Sequence, residues 1–211
     1  MALPRARLAD FALRLALVLP PLLYAAQWFA ASYGRFWLPW YRFILSGALL
    51  DYRATSLSVA HRDGEWRIAG QFLATDYQNI SGHLLPPGFT VNASTLLDHA
   101  LIHPLILLAA VLVWPTLTWR QRLSRLLLSL PFLALLESID IPLSLAGAVS
   151  DVVSWQASLG SAPPSAVTDW SVMLDGGGRL ALGLAAALLC AVLQERLERR
   201  GRSLPKEPCR T

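Results

Sequence analysis

Four apolar runs set the frame within which this chain can fold. They are residues 11–32 (FALRLALVLPPLLYAAQWFAAS), 101–119 (LIHPLILLAAVLVWPTLTW), 126–149 (LLLSLPFLALLESIDIPLSLAGAV) and 179–193 (RLALGLAAALLCAVL). A helix needs roughly 20 apolar residues to cross ~30 Å of hydrocarbon. The first three runs meet that length. The fourth is short, unless it extends backwards through WSVMLDGGG, where three glycines make a poor helix. Hydrophobic residues are 55% of the chain and charged residues 15%. Mean hydropathy is +0.45. These values exclude an ordinary soluble domain and predict a polytopic membrane protein. The expected fold class is an all-α membrane protein: four transmembrane helices with a small extracytoplasmic β-hairpin module.

The basic residues orient those helices. Arg5, Arg7 and Arg14 surround the start of the first run. Arg120, Arg122 and Arg125 fill the link between the second and third. Arg196, Arg199, Arg200, Arg202, Lys206 and Arg210 follow the fourth. That is twelve of the 18 Lys and Arg residues, all on one side of a four-helix arrangement. Positive residues mark the cytoplasmic side, so both termini are expected to be cytoplasmic. The net charge of +4 therefore reads as a topology signal and a contact with membrane lipids, not as a nucleic-acid surface. The first run also resembles a signal peptide, with arginines before it and small residues in YAAQ. An uncleaved anchor is expected, kinked at Pro20-Pro21. The chain then divides into residues 1–32 (first helix), 33–95 (outer segment) and 96–211 (three helices, an outer loop at 150–171 and a basic tail).

The outer segment opens with YGRFWLPWYRFILSGALL, residues 33–50. It reads either as a helix lying in the membrane interface or as an extension of the first helix. Asp63-Gly64 is a two-residue hairpin signal, because a type I′ turn needs positive φ at both central positions. Leu57 and Val59 alternate before it, and Trp66, Ile68 and Gly70 after it. A third strand is expected at residues 88–94. A lone hairpin is marginal in water, so the sheet needs that strand, the interfacial helix or a partner. Asn79-Ile-Ser and Asn92-Ala-Ser match the glycosylation pattern by chance-level motifs. The loop at 150–171 is rich in Ser, Ala and Pro and reads as a partly ordered cap.

The chemistry-bearing residues lie inside the apolar runs. His99 and His103 are four apart and share one helix face, with Ser94 or Thr95 as helix cap and Asp98 at the positive end. Two histidines do not make a metal site, and the zinc-protease pattern lacks its Glu. Glu137 and Asp140 are three apart and share a face of the third run. Counting depth along the helices brings His103, Glu137, Asp140 and Arg179 to the outer half of the bundle, with Asp175 one turn before Arg179. An acid in hydrocarbon costs at least ~2.5 kcal/mol. The cluster must therefore relieve that cost by pairing, whether it clasps helices together or forms an ion path, a metal site or an active site. No nucleophile with a nearby base stands out: Ser138, Ser144 and Cys190 are isolated candidates. Cys190 and Cys209 do not suggest a disulfide framework. No cofactor or metal is expected.

The stretch VNASTLLDHALIHPLILLAAVLVWP, residues 91–115, carries a resemblance. An outer β-segment leads through Asn-Ala-Ser-Thr into a histidine-bearing helix with a Trp-Pro end, after one anchor and before two further helices. This resembles the exosortase H-associated membrane protein family. The resemblance implies a bacterial inner membrane and a non-enzymatic accessory role beside a sorting peptidase that processes C-terminal signals. An exosortase carries its own Cys/Arg/His set. Here Cys190 falls near the wrong membrane face for His103, so no catalytic residue is carried over.

Overall fold

The computed structural model describes residues 5–49, 51–80, 83–114, 118–158 and 166–203. Helix α1 (Arg5–Ala48) leads into strands β1 (Tyr52–Arg62), β2 (Glu65–Ala74), β3 (Gln78–Ile80), β4 (His83–Leu85) and β5 (Thr90–Leu96). Helix α2 (Leu97–Val113) follows β5 without a linker. Helices α3 (Trp119–Ser158), α4 (Ala166–Met173) and α5 (Arg179–Ser203) complete the chain. The protein is mostly helical. Three helical stretches, Ala9–Ala48, Trp119–Trp155 and Ala166–Arg199, are long and apolar enough to cross a membrane. Helix α2 is apolar but has 17 residues, or ~25 Å, slightly less than the hydrocarbon core.

Helix α1 runs unbroken through Pro20, Pro21 and Pro39. In apolar surroundings the backbone carbonyls have no partner outside the helix, which favours continuing it across a proline. Of the two readings of residues 33–50, the structure takes the extension. Tyr41 and Leu45 are buried against the sheet and α3, so this apolar stripe faces protein and not the membrane interface. The predicted helix cap is corrected. Ser94 and Thr95 belong to β5, and Leu96, with extended φ and ψ, precedes the helix without a side-chain cap. The reading of 150–171 as loop is corrected at both flanks, because α3 continues to Ser158 and α4 begins at Ala166. Residues 159–165 between them lie outside the described residues, as do residues 204–211 with Cys209.

The hairpin forms at the expected turn. Asp63 and Gly64 have φ of 54° and 81°, and Arg62 pairs with Glu65 across them. Strand β5 adds antiparallel to β2, giving the order β1-β2-β5. A separate short hairpin, β3-β4, was not anticipated. The inner face of the main sheet contributes Ile68, Phe72, Val91 and Ala93 to one core shared with Leu45, Leu97, Ile141 and Val149 of the helices. The outer segment is therefore not an independent domain. Each large side chain buried there contributes about 1.5–3 kcal/mol against water. Farther from the sheet the buried cluster shrinks to Leu107, Leu136 and Ala186. Lipid is as apolar as leucine, so burial alone does not hold the helices there.

Close approach fixes how α1 meets the rest. A Cβ at Gly34 would lie 2.8 Å from Leu97 Cδ1 and 2.9 Å from Val59 Cγ2. Gly34→Val is therefore expected to lower stability by ~1–3 kcal/mol through overpacking. Thermal unfolding in detergent measures this; an unchanged midpoint would mean that α1, α2 and β1 do not meet so tightly.

Candidate functional site

Asp140 sits just past the middle of α3, and side chains from α2, α3 and α5 converge on it. His103 of α2 meets it at 2.9 Å through Nε2. A carboxylate accepts, so Nε2 is the protonated nitrogen in this pair. Arg179, the first residue of α5, donates from Nε to both carboxylate oxygens at 2.9 Å. Ser144, one turn on, donates to Asp140 Oδ1 at 3.2 Å. Arg179 Nη2 donates to Ser144 Oγ at 2.9 Å, and Nη1 donates to Asp175. His103 is 0% exposed, Asp140 1% and Arg179 3%.

Local sequence explains that convergence. Gly177 has φ of 111° and lies in a π-helical turn, Leu174–Gly178. That conformation suits glycine and bends the α4–α5 helix just before Arg179. The three glycines thus form a kink between two helices, α4 and α5. His99, one turn before His103 on the same face, lies 3.9 Å from Asp175. Four of the predicted residues, His103, Asp140, Asp175 and Arg179, are joined in one network, with His99 at its edge.

Glu137 is not part of that network. It is 0% exposed, and its partners are two phenols of α1. Tyr33 donates to Oε1 at 2.7 Å, and Tyr41 donates to Oε2. Trp37 lies between them and stacks on Tyr41. Tyr33, Trp37 and Tyr41 repeat every four residues and so form one stripe. That spacing was the available signal for two functional residues that sequence reasoning missed. Beside Glu137, Ser138 accepts from Trp40 Nε1 at 2.7 Å.

A second polar cluster closes the other end of the bundle. Arg125 of α3 is buried, stands 4.9 Å over the Trp114 ring, and donates to Gln194 Oε1 at 2.6 Å. Gln194 donates to the Gln121 carbonyl and to Glu198. Fifteen residues separate Arg125 from Asp140 on α3, and fifteen separate Arg179 from Gln194 on α5. Two antiparallel helices are thus pinned at levels ~22 Å apart.

The chemical capacity of the inner cluster is limited. Ser144 donates to Asp140 and accepts from Arg179, and the carboxylate it donates to is already held by Arg179 and His103. Ser138 donates to the Ala134 carbonyl. Cys190 lies in contact with the Leu128 carbonyl near the Arg125 end, far from His103. Among the described residues no three His, Cys, Asp or Glu side chains converge as metal ligands. His99 and His103 face different carboxylates. Above the network lies an open cleft of about 280 Å³ whose lining includes Arg67, His99, Asp151, Asp175 and Arg179. His103, Glu137 and Asp140 do not line it. Compared with family models, with curated proteins and with solved structures, the chain matches none.

Proposed function

We propose that this protein is a non-enzymatic accessory or scaffold subunit of a bacterial inner-membrane protein-sorting or export system, of the exosortase kind. In this reading four helices cross the membrane, α2 included, with both termini cytoplasmic and the sheet in the periplasm. The observation that carries it is the saturation of the intramembrane acids. Every oxygen of Glu137 and Asp140 is occupied by a donor from another helix or the next turn, and the serine bonded to them, Ser144, shares its carboxylate with Arg179 and His103. Such a cluster holds helices in register. The resemblance of residues 91–115 to exosortase-associated proteins supports the choice of system.

The sheet supplies a face for a partner. Its inner side is core, whereas the outward residues of its middle, Ser56, Ser58, Gln71, Asn92 and Ser94, are uncharged and line an open groove that Arg62 also borders. The competing reading is an intramembrane enzyme or ion transporter built on His103, Asp140 and Arg179, favoured by the one face of Arg179 that lines the cleft. Photo-crosslinkers placed at Ser58 and Asn92 in native membranes separate the two. The accessory reading expects an adduct with an integral membrane peptidase or export component, lost when the sheet face is changed to bulky charged residues. Adducts with lipid and this chain alone would overturn it.

A further inference from the structure

Strand β1 forms one edge of the sheet, whose order is β1-β2-β5. The opposite edge, β5, is packed against α3, whereas among the described residues β1 packs against β2 and α1. The hairpin register shows which backbone groups β1 leaves open. A two-residue turn makes Arg62 and Glu65 a pair that exchanges both N–H···O bonds, and such pairs alternate along an antiparallel ladder. Ala60 and Ser58 therefore bond to β2, while the N–H and C=O groups of His61, Val59 and Leu57 point to the free edge. The strand bulges between Ala54 and Ser56, but from Ser56 to Arg62 it is regular and contains no proline. An edge of that kind is ready to pair with another strand.

Helix α1 runs beside this strand in the opposite direction. A Cβ on Gly34 would lie 2.9 Å from Val59 Cγ2, and Arg42 Nη2 donates to the Thr55 carbonyl at 3.0 Å. From Gly34 to Arg42 the helix rises ~12 Å, and from Val59 to Thr55 the strand covers ~13 Å, so the two elements keep step. Arg35 is two turns before Arg42 on the same helix face. It therefore flanks the Val59 end of the edge as Arg42 flanks the bulge. Arg53 and Arg62 lie towards the two ends of β1. All four arginines are exposed, and none forms an ion pair among the described residues. Asp51 and Asp63 border the strand, which leaves the edge with an excess of positive charge.

That charge selects the occupant. A second copy of β1 paired here would bring two such sets of arginines together, and facing like charges are unfavourable. An acidic segment instead meets its complement. We propose that β1 accepts an extended acidic segment of the partner polypeptide as a fourth strand of the sheet. Its backbone pairs with Leu57, Val59 and His61, and its acidic side chains face Arg35 and Arg42. Main-chain bonds supply the affinity in such strand addition, and the flanking side chains supply the preference. The inference rests on the accessory reading and names the chemistry of the segment that reaches the sheet.

The test uses the purified full chain in mild detergent, titrated with short fluorescent peptides. One alternates Glu with Thr, and a second has Lys in place of every Glu. Two further forms of the Glu peptide carry N-methyl groups on alternate amides, one in each phase. The Glu peptide is expected to bind at least tenfold more tightly than the Lys peptide. The double variant Arg35→Gln/Arg42→Gln is expected to weaken it about tenfold, with an unchanged thermal midpoint. One methylated phase keeps its affinity and the other loses it, because alternate N–H groups of an added strand face β1. Equal binding of the Glu and Lys peptides, full affinity in the arginine variant, or the same result for both methylated phases overturns the proposal. Disulfide trapping between two copies carrying Ser58→Cys and Cys209→Ser would put a second copy on this edge and overturn it as well. Partner adducts at Ser58 and Asn92 without peptide binding would leave the accessory reading standing and remove this one.

Discussion

Asp140→Ala is expected to prevent recovery of folded protein, while the double variant Asp140→Ala/Arg179→Met recovers much of it. The difference lies in what each change leaves behind. Removing Asp140 alone strands the Arg179 guanidinium at 3% exposure with its principal counter-ion gone. Breaking a buried pair in this way costs ~3–5 kcal/mol, out of a total stability of ~5–15 kcal/mol. Losing the His103 and Ser144 hydrogen bonds adds less, since side-chain bonds between membrane helices average ~0.6 kcal/mol. The loss of the buried counter-ion therefore dominates, since the Asp175 that Arg179 retains is largely exposed. Removing both charges and filling the space with methionine leaves Asp175 free to turn to solvent. Asp140→Asn keeps the shape and loses the charge, so it should fall between. Fluorescence-detected size exclusion and thermal midpoints, with Arg179→Met measured alone as well, give all four corners of the cycle. A loss within ~1 kcal/mol for Asp140→Ala would place the pair with exposed surface ion pairs, and the clasp would lose its basis.

That cluster was legible in the sequence to the extent that it depends on depth. His103 and Arg179 lie near the sheet-side ends of α2 and α5 and Asp140 just past the middle of α3, and residue counting along the apolar runs brings these positions to one half of the bundle. The hairpin at Asp63-Gly64 was legible for a local reason: the turn type demands those residues. What depth counting does not supply is rotation about the helix axis. Glu137 and Asp140 share one side of α3, yet the angle between them is enough to send one to α1 and the other to α2 and α5. The Tyr33–Trp37–Tyr41 stripe could be read only by assigning α1 a rotational phase relative to α3. The Arg125–Gln194–Glu198 cluster was hidden by a different effect. Arginines at helix ends carry a topology signal, and that explanation is sufficient without any contact. Only packing shows that Arg125 turns inward onto Trp114 while Arg120 remains exposed. The helices flanking residues 159–165 were obscured by Ser, Ala and Pro, whose composition suits a loop although Ala166–Met173 packs on α3.

Glu137→Leu is expected to release the sheet-end half of α1 while leaving the other helices in place. Glu137 is the acceptor for two hydroxyls of α1, one of them on the fully buried Tyr41. Each phenol left without a partner costs ~1–3 kcal/mol. The remaining polar tie from α1 to this part of α3 is the exposed bond from Trp40 to Ser138, which contributes ~0.5–1.5 kcal/mol at most. The loss therefore exceeds what is left. Glu137→Gln should have about half the effect, because an amide oxygen accepts from one phenol and its NH₂ cannot accept from the other. The triple variant Tyr33→Phe/Tyr41→Phe/Glu137→Leu removes donors and acceptor together and should return close to wild type. Hydrogen–deuterium exchange reads this directly: protection over residues 33–48 falls at least tenfold in Glu137→Leu, and protection over α3 and α5 persists. Unchanged protection in Glu137→Leu would mean that apolar packing of Tyr41 and Leu45 holds α1 by itself. A loss of cellular function in Glu137→Gln with α1 fully protected would instead favour chemistry at this carboxylate over a clasp.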